Sequence, residues 1–260
     1  MSSYLGRHAD LYDLFYAEKP YAAEAGFVHD LLQRHARGPI RRVIELACGT
    51  GRHALLFEQH GYDVVALDYS ESMLEVARRR AAGAGSKVDF RLGDMRALQV
   101  EGPPADAAVC LFDSIGYVGT NEAVDRVLAG VRAHLRPGGL FVLEFWHAAA
   151  MLRSYDPTRV RRFQAGDREV VRISETTLDP ARQLATVAYT ILDLGRDGRY
   201  QRIEELQTNR FFLLQEMEAF VARAGFEPVA WHAGFSPSQQ IDETTWHIVG
   251  VVRRPGQGSP

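Results

Sequence analysis

Residues 43–54 read VIELACGTGRHA, and this stretch decides the fold. An apolar run that contains one acid, Glu45, ends at Gly49-Thr50-Gly51, and residues typical of a helix follow. A strand that passes through a glycine-rich turn into a helix is typical of nucleotide-binding α/β proteins, in which the helix N-terminus faces the ligand. The segment therefore predicts a ligand site at the carboxyl end of a strand.

Strands and helices alternate along the chain on both sides of this segment. Strand-containing segments are predicted at 42–47, 63–68, 87–95, 106–118 and 139–146, with helices at 54–60, 70–83 and 121–139. Two more helices are predicted within 8–35, broken near Pro20, because proline interrupts a helix. This alternation favours an α/β fold with a doubly wound, mostly parallel sheet and helices on both faces.

The pattern changes after Trp146. Three β-rich stretches within 158–213 are separated by the turn signals DPAR and GRDG, which predicts an antiparallel insertion of three or four strands. A helix that ends at Gly225 and two strands near 226–235 and 245–254 follow. The sequence thus predicts four parts: an N-terminal helical segment (1–37), an α/β core with the ligand site (38–147), the insertion (148–213) and a C-terminal helix followed by two strands (214–254).

Composition limits the classes of function. The 260 residues are 46% hydrophobic and carry a formal net charge of -3, so a full core is expected and a basic nucleic-acid-binding surface is not. No apolar run has membrane-spanning length, and MSSYLGRHADLYDLFY lacks the features of a signal peptide. Cys48 and Cys110 lie in apolar runs, which favours buried, reduced thiols. We expect a cytoplasmic protein with neither a nucleic-acid or membrane partner nor a metal site.

Two cofactors compete for the glycine turn. The pattern G-x-G-x-x-A, with Asp68 seventeen residues beyond Gly51, fits a dinucleotide, whose pyrophosphate would lie at the helix N-terminus. Glu45 argues against it, because a carboxylate just before the turn repels pyrophosphate and attracts an ammonium group. S-adenosylmethionine (SAM) carries such a group and no phosphate. Asp68 would accept hydrogen bonds from its ribose hydroxyls and Asp94 from its adenine amino group.

A family resemblance supports SAM. VIELACGTGRHA, VVALDYSESMLEVARRR, FRLGDMRAL and CLFDSIGYV together resemble the class I SAM-dependent methyltransferases over residues 40–146. The final AGFEPV…TWHIVGVVRR is similar to the reversed last β-hairpin of that fold, so the resemblance implies a seven-stranded sheet.

A closer resemblance, carried by HADLYDLFY…YAAEA, ACGTGRH, GDMR and SIGYV, is to bacterial N,N-dimethyltransferases of nucleotide-linked amino sugars. It implies that the N-terminal helices cover the cofactor and that the insertion shapes the substrate pocket and often a homodimer. Two segments depart from that pattern: LEFWH replaces a VEPWW-type segment, and Gln207 stands where a histidine would fall.

Strand-end position and the resemblance together nominate the site residues. The cofactor-binding candidates are Glu45, Ala47, Gly49, Gly51, Asp68, Tyr69, Met73, Asp94, Met95 and Phe112. The substrate-binding candidates are Tyr12, Asp113, Ser114, Trp146 and Arg210, of which Arg210 would hold a phosphate or carboxylate. The catalytic candidates are Tyr16, which the resemblance places over the cofactor, Tyr117, which it places near the acceptor, and His147, a possible base.

The expected reaction is in-line methyl transfer from SAM to a small molecule, with the amine of a nucleotide-linked amino sugar as the first hypothesis. An amine needs no strong base, whereas a phenol or carbon acid usually does. Three alternatives remain open from sequence: a SAM-dependent N-, O- or C-methyltransferase of another natural product, an NAD-dependent oxidoreductase, and a non-catalytic SAM-binding protein.

Overall fold

A computed structural model describes residues 7–256 and gives an α/β core with a separate antiparallel sheet. The core contains α1 (Arg7–Phe15), α2 (Tyr21–His35), β1 (Arg42–Leu46), α3 (Arg52–Gln59), β2 (Asp63–Asp68), α4 (Glu71–Ala84), β3 (Asp89–Leu92), β4 (Ala105–Cys110), α5 (Asn121–His134) and β5 (Leu135–Trp146). Then come α6 (Ala148–Ser154), β6 (Thr158–Ala165), β7 (Arg168–Asp179), β8 (Leu184–Leu194), β9 (Tyr200–Arg210), α7 (Leu214–Arg223), β10 (Glu227–Ala233) and β11 (His247–Arg253). Within the described range, no helix is both long and apolar enough to span a membrane.

The large sheet has the strand order β3-β2-β1-β4-β5-β11-β10. Strands β1 to β5 are parallel to one another, and β11 runs antiparallel to both of its neighbours. Apolar clusters cover both of its faces. The predicted seven-stranded, doubly wound sheet with a reversed last hairpin is therefore confirmed. Because β1 pairs with β2 on one side and β4 on the other, the chain connections diverge beside β1, which opens a crevice at the carboxyl ends of these strands.

The insertion is a four-stranded antiparallel sheet in the order β6-β7-β8-β9. Its register aligns Arg161 with Arg172, and Arg159 with Ser174 and Tyr189. Since side chains alternate between the two faces of a strand, these residues share one face. That face covers the crevice of the large sheet, as the lining of the cavity described below shows.

Two local features differ from the sequence prediction. Helix α6 begins directly after His147, where no helix was predicted. The RPGG segment lies within β5 rather than between the helix and the strand, because β5 begins at Leu135. Leu135 pairs with Ala105 and Leu140 with Ala107, so the intervening residues bulge out of the ladder.

Candidate active site

A cavity of about 580 Å³ lies between the carboxyl ends of β1, β2 and β4, helix α1 and the antiparallel sheet. Most of the sequence-predicted site residues line it together: Tyr12, Tyr16, Glu45, Ala47, Gly49, Asp68, Tyr69, Met73, Phe112, Asp113, Ser114, Tyr117 and Trp146. They come from α1, from the ends of β1, β2 and β5, from the loops after β1, β2 and β4, and from the start of α4. The fold thus brings together residues that are up to 134 positions apart.

Two buried carboxylates give the strand-end half of the cavity a negative character. Glu45 is 2% exposed and Asp68 6% exposed. Burial and the nearby Asp68 raise the pKa of Glu45 well above its usual range, because neither favours a second negative charge. Burial likewise raises the pKa of Asp68, although backbone N–H groups oppose the shift. Oε2 of Glu45 has no hydrogen-bond partner among the described residues, so a cationic ligand group would satisfy it.

The turn after β1 holds its shape through unusual backbone angles. Ala47, Gly49 and Gly51 all have positive φ, and Gly49 N–H donates to Oδ2 of Asp68 at 2.8 Å. A Cβ on Gly49 would meet no protein atom within 4 Å, which leaves open space beside the turn for a ligand. Asp68 also accepts a hydrogen bond from Ser70 N–H at 2.8 Å, and Ser70 caps α4. The turn and the acid therefore form one rigid unit.

This half of the cavity fits SAM. An orphaned carboxylate oxygen and a second buried acid suit a ligand with an ammonium group, a sulfonium and ribose hydroxyls. A pyrophosphate would instead face two buried carboxylates, and that arrangement is unfavourable. The residues that could hold SAM are Glu45, Gly49, Asp68, Tyr69 and Met73, all of which line the cavity.

Three predicted cofactor residues lie outside the cavity lining. Gly51 faces Phe90, since a Cβ there would lie 2.7 Å from the ring, so its glycine serves close helix–strand packing. Asp94 caps the short helical turn Met95–Ala97 and pairs with Arg96, which lowers the pKa of Asp94. Met95 packs against the apolar core. Asp94 thus caps this turn outside the cavity lining, and its adenine contact stays a prediction.

Helix α1 closes the cavity with aromatic side chains. The rings of Tyr12 and Tyr16 are 4.7 Å apart, and Tyr16 meets Phe112 edge-on at 5.0 Å. Burial raises the pKa of Tyr12 well above its usual range, so its phenol stays protonated. Asp13 accepts hydrogen bonds from Thr50 at 2.9 Å and from Arg52 at 3.1 Å, which ties α1 to the glycine turn. The helix is thus bound directly to the structure that it covers.

The loop after β4 is held by contacts from strands of both sheets. Phe112 and Asp113 both have positive φ, a conformation that costs non-glycine residues energy. Phe112 N–H donates to Glu144 of β5, and Asp113 contacts His247 of β11 at 3.0 Å. Nδ2 of Asn209 donates to the carbonyl of Asp113 at 3.3 Å. Groups from three strands therefore hold this loop against the cavity.

Two predicted residues do not reach the cavity. His147 is buried, with Nδ1 3.1 Å from the carbonyl oxygen of Thr245, and it immediately precedes α6. Arg210 donates to Asn121 at 2.6 Å and pairs with Glu216, so its guanidinium is already bound within the protein. The structure supports neither the predicted base role of His147 nor the predicted substrate contact of Arg210.

Sequence reasoning missed the cationic residues that do line the cavity. Arg159, Arg161 and Arg172 share its insertion face, and the guanidinium of Arg172 lies 4.7 Å from the ring of Phe15. Gln207 lies on the same face and accepts a hydrogen bond from the hydroxyl of Tyr117 at 3.3 Å. The alternation in TRVRRFQA marks which arginines share a face, but only the register shows which face is covered.

Comparison with known proteins agrees with this site. A family model described as a methyltransferase domain matches residues 43–139. The dTDP-3-amino-3,4,6-trideoxy-alpha-D-glucopyranose N,N-dimethyltransferase of Streptomyces venezuelae is 33% identical over 222 residues, which is 84% of this chain and 89% of that protein. The chain belongs to the class I SAM-dependent methyltransferases, and its cofactor is SAM. The dinucleotide alternative is therefore wrong.

Two solved structures share the whole architecture. Streptomyces venezuelae DesVI is 27% identical with a TM-score of 0.78, covering 95% of this chain and 99% of that one. CalS10, an amino pentose methyltransferase from Micromonospora echinaspora solved with SAM bound, is 26% identical with a TM-score of 0.75, covering 98% and 99%. The antiparallel insertion thus falls within the part of the chain that these methyltransferases match.

Proposed function

We propose that this enzyme transfers methyl groups from SAM to the amine of a nucleotide-linked amino sugar. The cluster of arginines on the cavity face of the insertion carries the proposal. Arg161 and Arg172 are cross-strand neighbours, and Arg159 lies two residues along the same strand. Like charges opposite each other destabilise a sheet unless an anion lies between them. The diphosphate of a nucleotide-linked sugar is such an anion, and arginine binds phosphate with two parallel hydrogen bonds.

Each residue in the cofactor half of the site has a separate proposed role. SAM supplies an already activated methyl group. Glu45 pairs with its ammonium group, Asp68 accepts hydrogen bonds from its ribose hydroxyls, and Gly49 gives the backbone room to approach. Tyr12, Tyr16 and Phe112 exclude water above it. These assignments rest on the burial, charge and placement of the residues described above.

The acceptor half orients the nucleophile. An amine attacks through its own lone pair, so the protein needs to position it and to exclude water rather than to supply a strong base. Tyr117, fixed by Gln207, is proposed to contact the amine, with Ser114 and Trp146 beside it. The alternative, an oxygen or carbon acceptor in another natural product, loses its best candidate base because His147 lies outside the cavity lining.

We also propose a function for each of two parts of the chain. The helices within 1–37 act as a lid over the cofactor, and the insertion at 148–213 selects the acceptor. We propose a cytoplasmic enzyme, which suits two buried free thiols, Cys48 and Cys110. We also propose a homodimer that the insertion helps to form. Light scattering of the purified protein measures its mass, and a monomeric mass contradicts the dimer.

A methyl-transfer assay by mass spectrometry tests the proposed acceptor. Protein and SAM are incubated in parallel with nucleotide-linked amino sugars, simple amines, amino acids and phenols. We expect mass gains of one or two methyl groups on the amino sugars alone. Transfer only to a phenol would overturn the amine acceptor, and tight S-adenosylhomocysteine binding with no transfer to any acceptor would favour a non-catalytic protein.

A further inference from the structure

One ring nitrogen at the wall of the cavity contacts two carboxylates, one from the loop after β4 and one from β5. Nδ1 of His247 lies 3.0 Å from Asp113 Oδ2 and 3.1 Å from Glu144 Oε1. The side chains of Asp113 and Glu144 are 4% and 2% exposed. A proton on Nδ1 can bond to both acids at once, and the positive charge on the ring offsets one of their two negative charges.

The acids on either side of this histidine hold the strained loop. Glu144 accepts the N–H of Phe112, while Asp113 is itself the next residue of the loop. Both loop residues have positive φ, which a free loop would avoid. Phe112, Asp113 and Ser114 all line the methyl-transfer cavity. A shift of this loop would therefore move the wall against which cofactor and acceptor are aligned.

We propose that His247 is a positioning residue for methyl transfer: its imidazolium links Asp113 to Glu144 and so fixes the Phe112–Ser114 wall of the cavity. Without the cation, two buried carboxylates would repel each other across the loop. The role is indirect, since the ring acts through the acids and not on the reacting atoms. The inference relies on the proposed acceptor only for its kinetic measurement.

The surrounding charges favour the protonated ring. Asp113 raises the pKa of His247 to about 11, with Glu144 adding to the effect and burial opposing it. Burial raises the pKa of Asp113 to about 6, and His247 opposes that shift. Other titratable groups among the described residues also surround the cluster. Lys19 acts on Asp113 and pairs with Glu24, Arg161 lines the same cavity as His247, and the thiol of Cys110 is neutral. A histidine that stays protonated at neutral pH cannot act as a general base.

The first arm of the test observes the ring directly. Nitrogen NMR of histidine-labelled protein bound to S-adenosylhomocysteine should show both ring nitrogens of His247 protonated from about pH 6 to about pH 9, far above the usual histidine pKa. A ring with one bare nitrogen in that range overturns the proposal. A signal that changes on adding EDTA would also overturn it, because a cation between the same three groups would need a deprotonated ring nitrogen.

The second arm compares His247→Phe, which removes the donor, with His247→Asn, which keeps a neutral N–H near the position of Nδ1. We expect kcat to fall about 100-fold in the first and less in the second, since small misplacements have costs of that order. S-adenosylhomocysteine affinity should stay within about threefold. The control is His60→Asn, at an exposed histidine distant in sequence from His247. Its kcat and its affinity for S-adenosylhomocysteine should match those of the wild type.

The pH dependence separates positioning from mere packing. Below the raised pKa of Asp113, that acid is protonated and can donate to Glu144, which restores the link that His247 provides. The ratio of variant to wild-type kcat should therefore rise as pH falls. A ratio that is constant with pH, or a parallel loss of kcat, cofactor affinity and Tm, would contradict the proposal. If the wild type methylates no acceptor, the proposed function fails, while the NMR arm still decides the protonation of His247.

Discussion

The two halves of the cavity differ in charge and in how the chain builds them. The cofactor half presents two buried acids, Glu45 and Asp68, and the glycine turn between them donates a backbone hydrogen bond to Asp68. The acceptor half presents Arg159, Arg161 and Arg172 from two strands of the insertion. One half therefore suits a cationic ligand and the other an anionic one. This contrast orients the two substrates before any specific contact is made.

The halves also differ in what the sequence reveals. Glu45, Gly49 and Asp68 lie within 24 residues, and parallel pairing of adjacent strands brings their ends together. Their clustering was predictable because residues at the carboxyl ends of adjacent parallel strands lie close together. Tyr117 and Gln207 are ninety residues apart and meet only because two sheets pack together. That contact depends on long-range register, which a single sequence does not specify.

His147 and Arg210 lie outside the cavity lining for similar reasons. His147 was predicted to face the site because it follows β5, but the chain enters α6 at once and turns the ring toward Thr245. Arg210 was chosen as a phosphate ligand without knowledge of Glu216, which α7 brings beside it. The direction of a side chain at the end of a strand depends on the element that follows. No helix was predicted for the residues that form α6, so the direction of His147 could not be predicted.

Gly116→Ala should have the largest effect, because this glycine packs directly against β9 of the insertion. A Cβ there would lie 1.7 Å from Oδ1 of Asn209 and 2.5 Å from a backbone oxygen of Arg210. We expect a loss of about 3 kcal/mol in the free energy of unfolding from this overpacking. Gly83→Ala, in α4 with open space around it, is the matched control and should be neutral or stabilising. Urea denaturation measures both, and equal stabilities would show that the insertion does not pack on this loop as described.

Asp68→Ala tests the cofactor half. It removes the proposed ribose acceptor and the acceptor of the Gly49 and Ser70 N–H groups, so S-adenosylhomocysteine affinity should fall about 100-fold by calorimetry. Asp94→Ala should change affinity little, since Asp94 pairs with Arg96 outside the cavity lining. The reverse order of effects would restore the adenine contact that the sequence suggested.

Arg161→Ala tests the acceptor half. Loss of one cation that faces the diphosphate should raise the acceptor KM about tenfold while S-adenosylhomocysteine affinity stays constant. Arg202→Ala, on the opposite face of the insertion and paired with Glu204, is the control. Steady-state kinetics at two salt concentrations should show a smaller salt effect in the Arg161 variant. An unchanged KM would remove this arginine from substrate binding.

Glu45→Gln should have the smallest effect, and it should be visible without any acceptor. Because burial and Asp68 raise the pKa of Glu45, the folded apo protein binds its proton more tightly than the unfolded chain does. Its contribution to stability is therefore present below the unfolded pKa and is lost as pH rises toward the raised folded value. The variant without cofactor should melt a few degrees higher than the wild type at neutral pH and no higher in acid, yet gain less from S-adenosylhomocysteine. A variant that melts lower at neutral pH would contradict this account.

Because the two halves of the cavity differ in charge, the central claim is that the acceptor carries an anionic group that the arginines bind. The most direct measurement compares kcat/KM for one amino sugar with and without its nucleotide diphosphate, using the same wild-type enzyme and saturating SAM. We predict rapid methylation of the nucleotide-linked sugar and a loss of at least about 100-fold for the free sugar, since the arginines would have no anion to bind. Equal or faster methylation of the free sugar would contradict it.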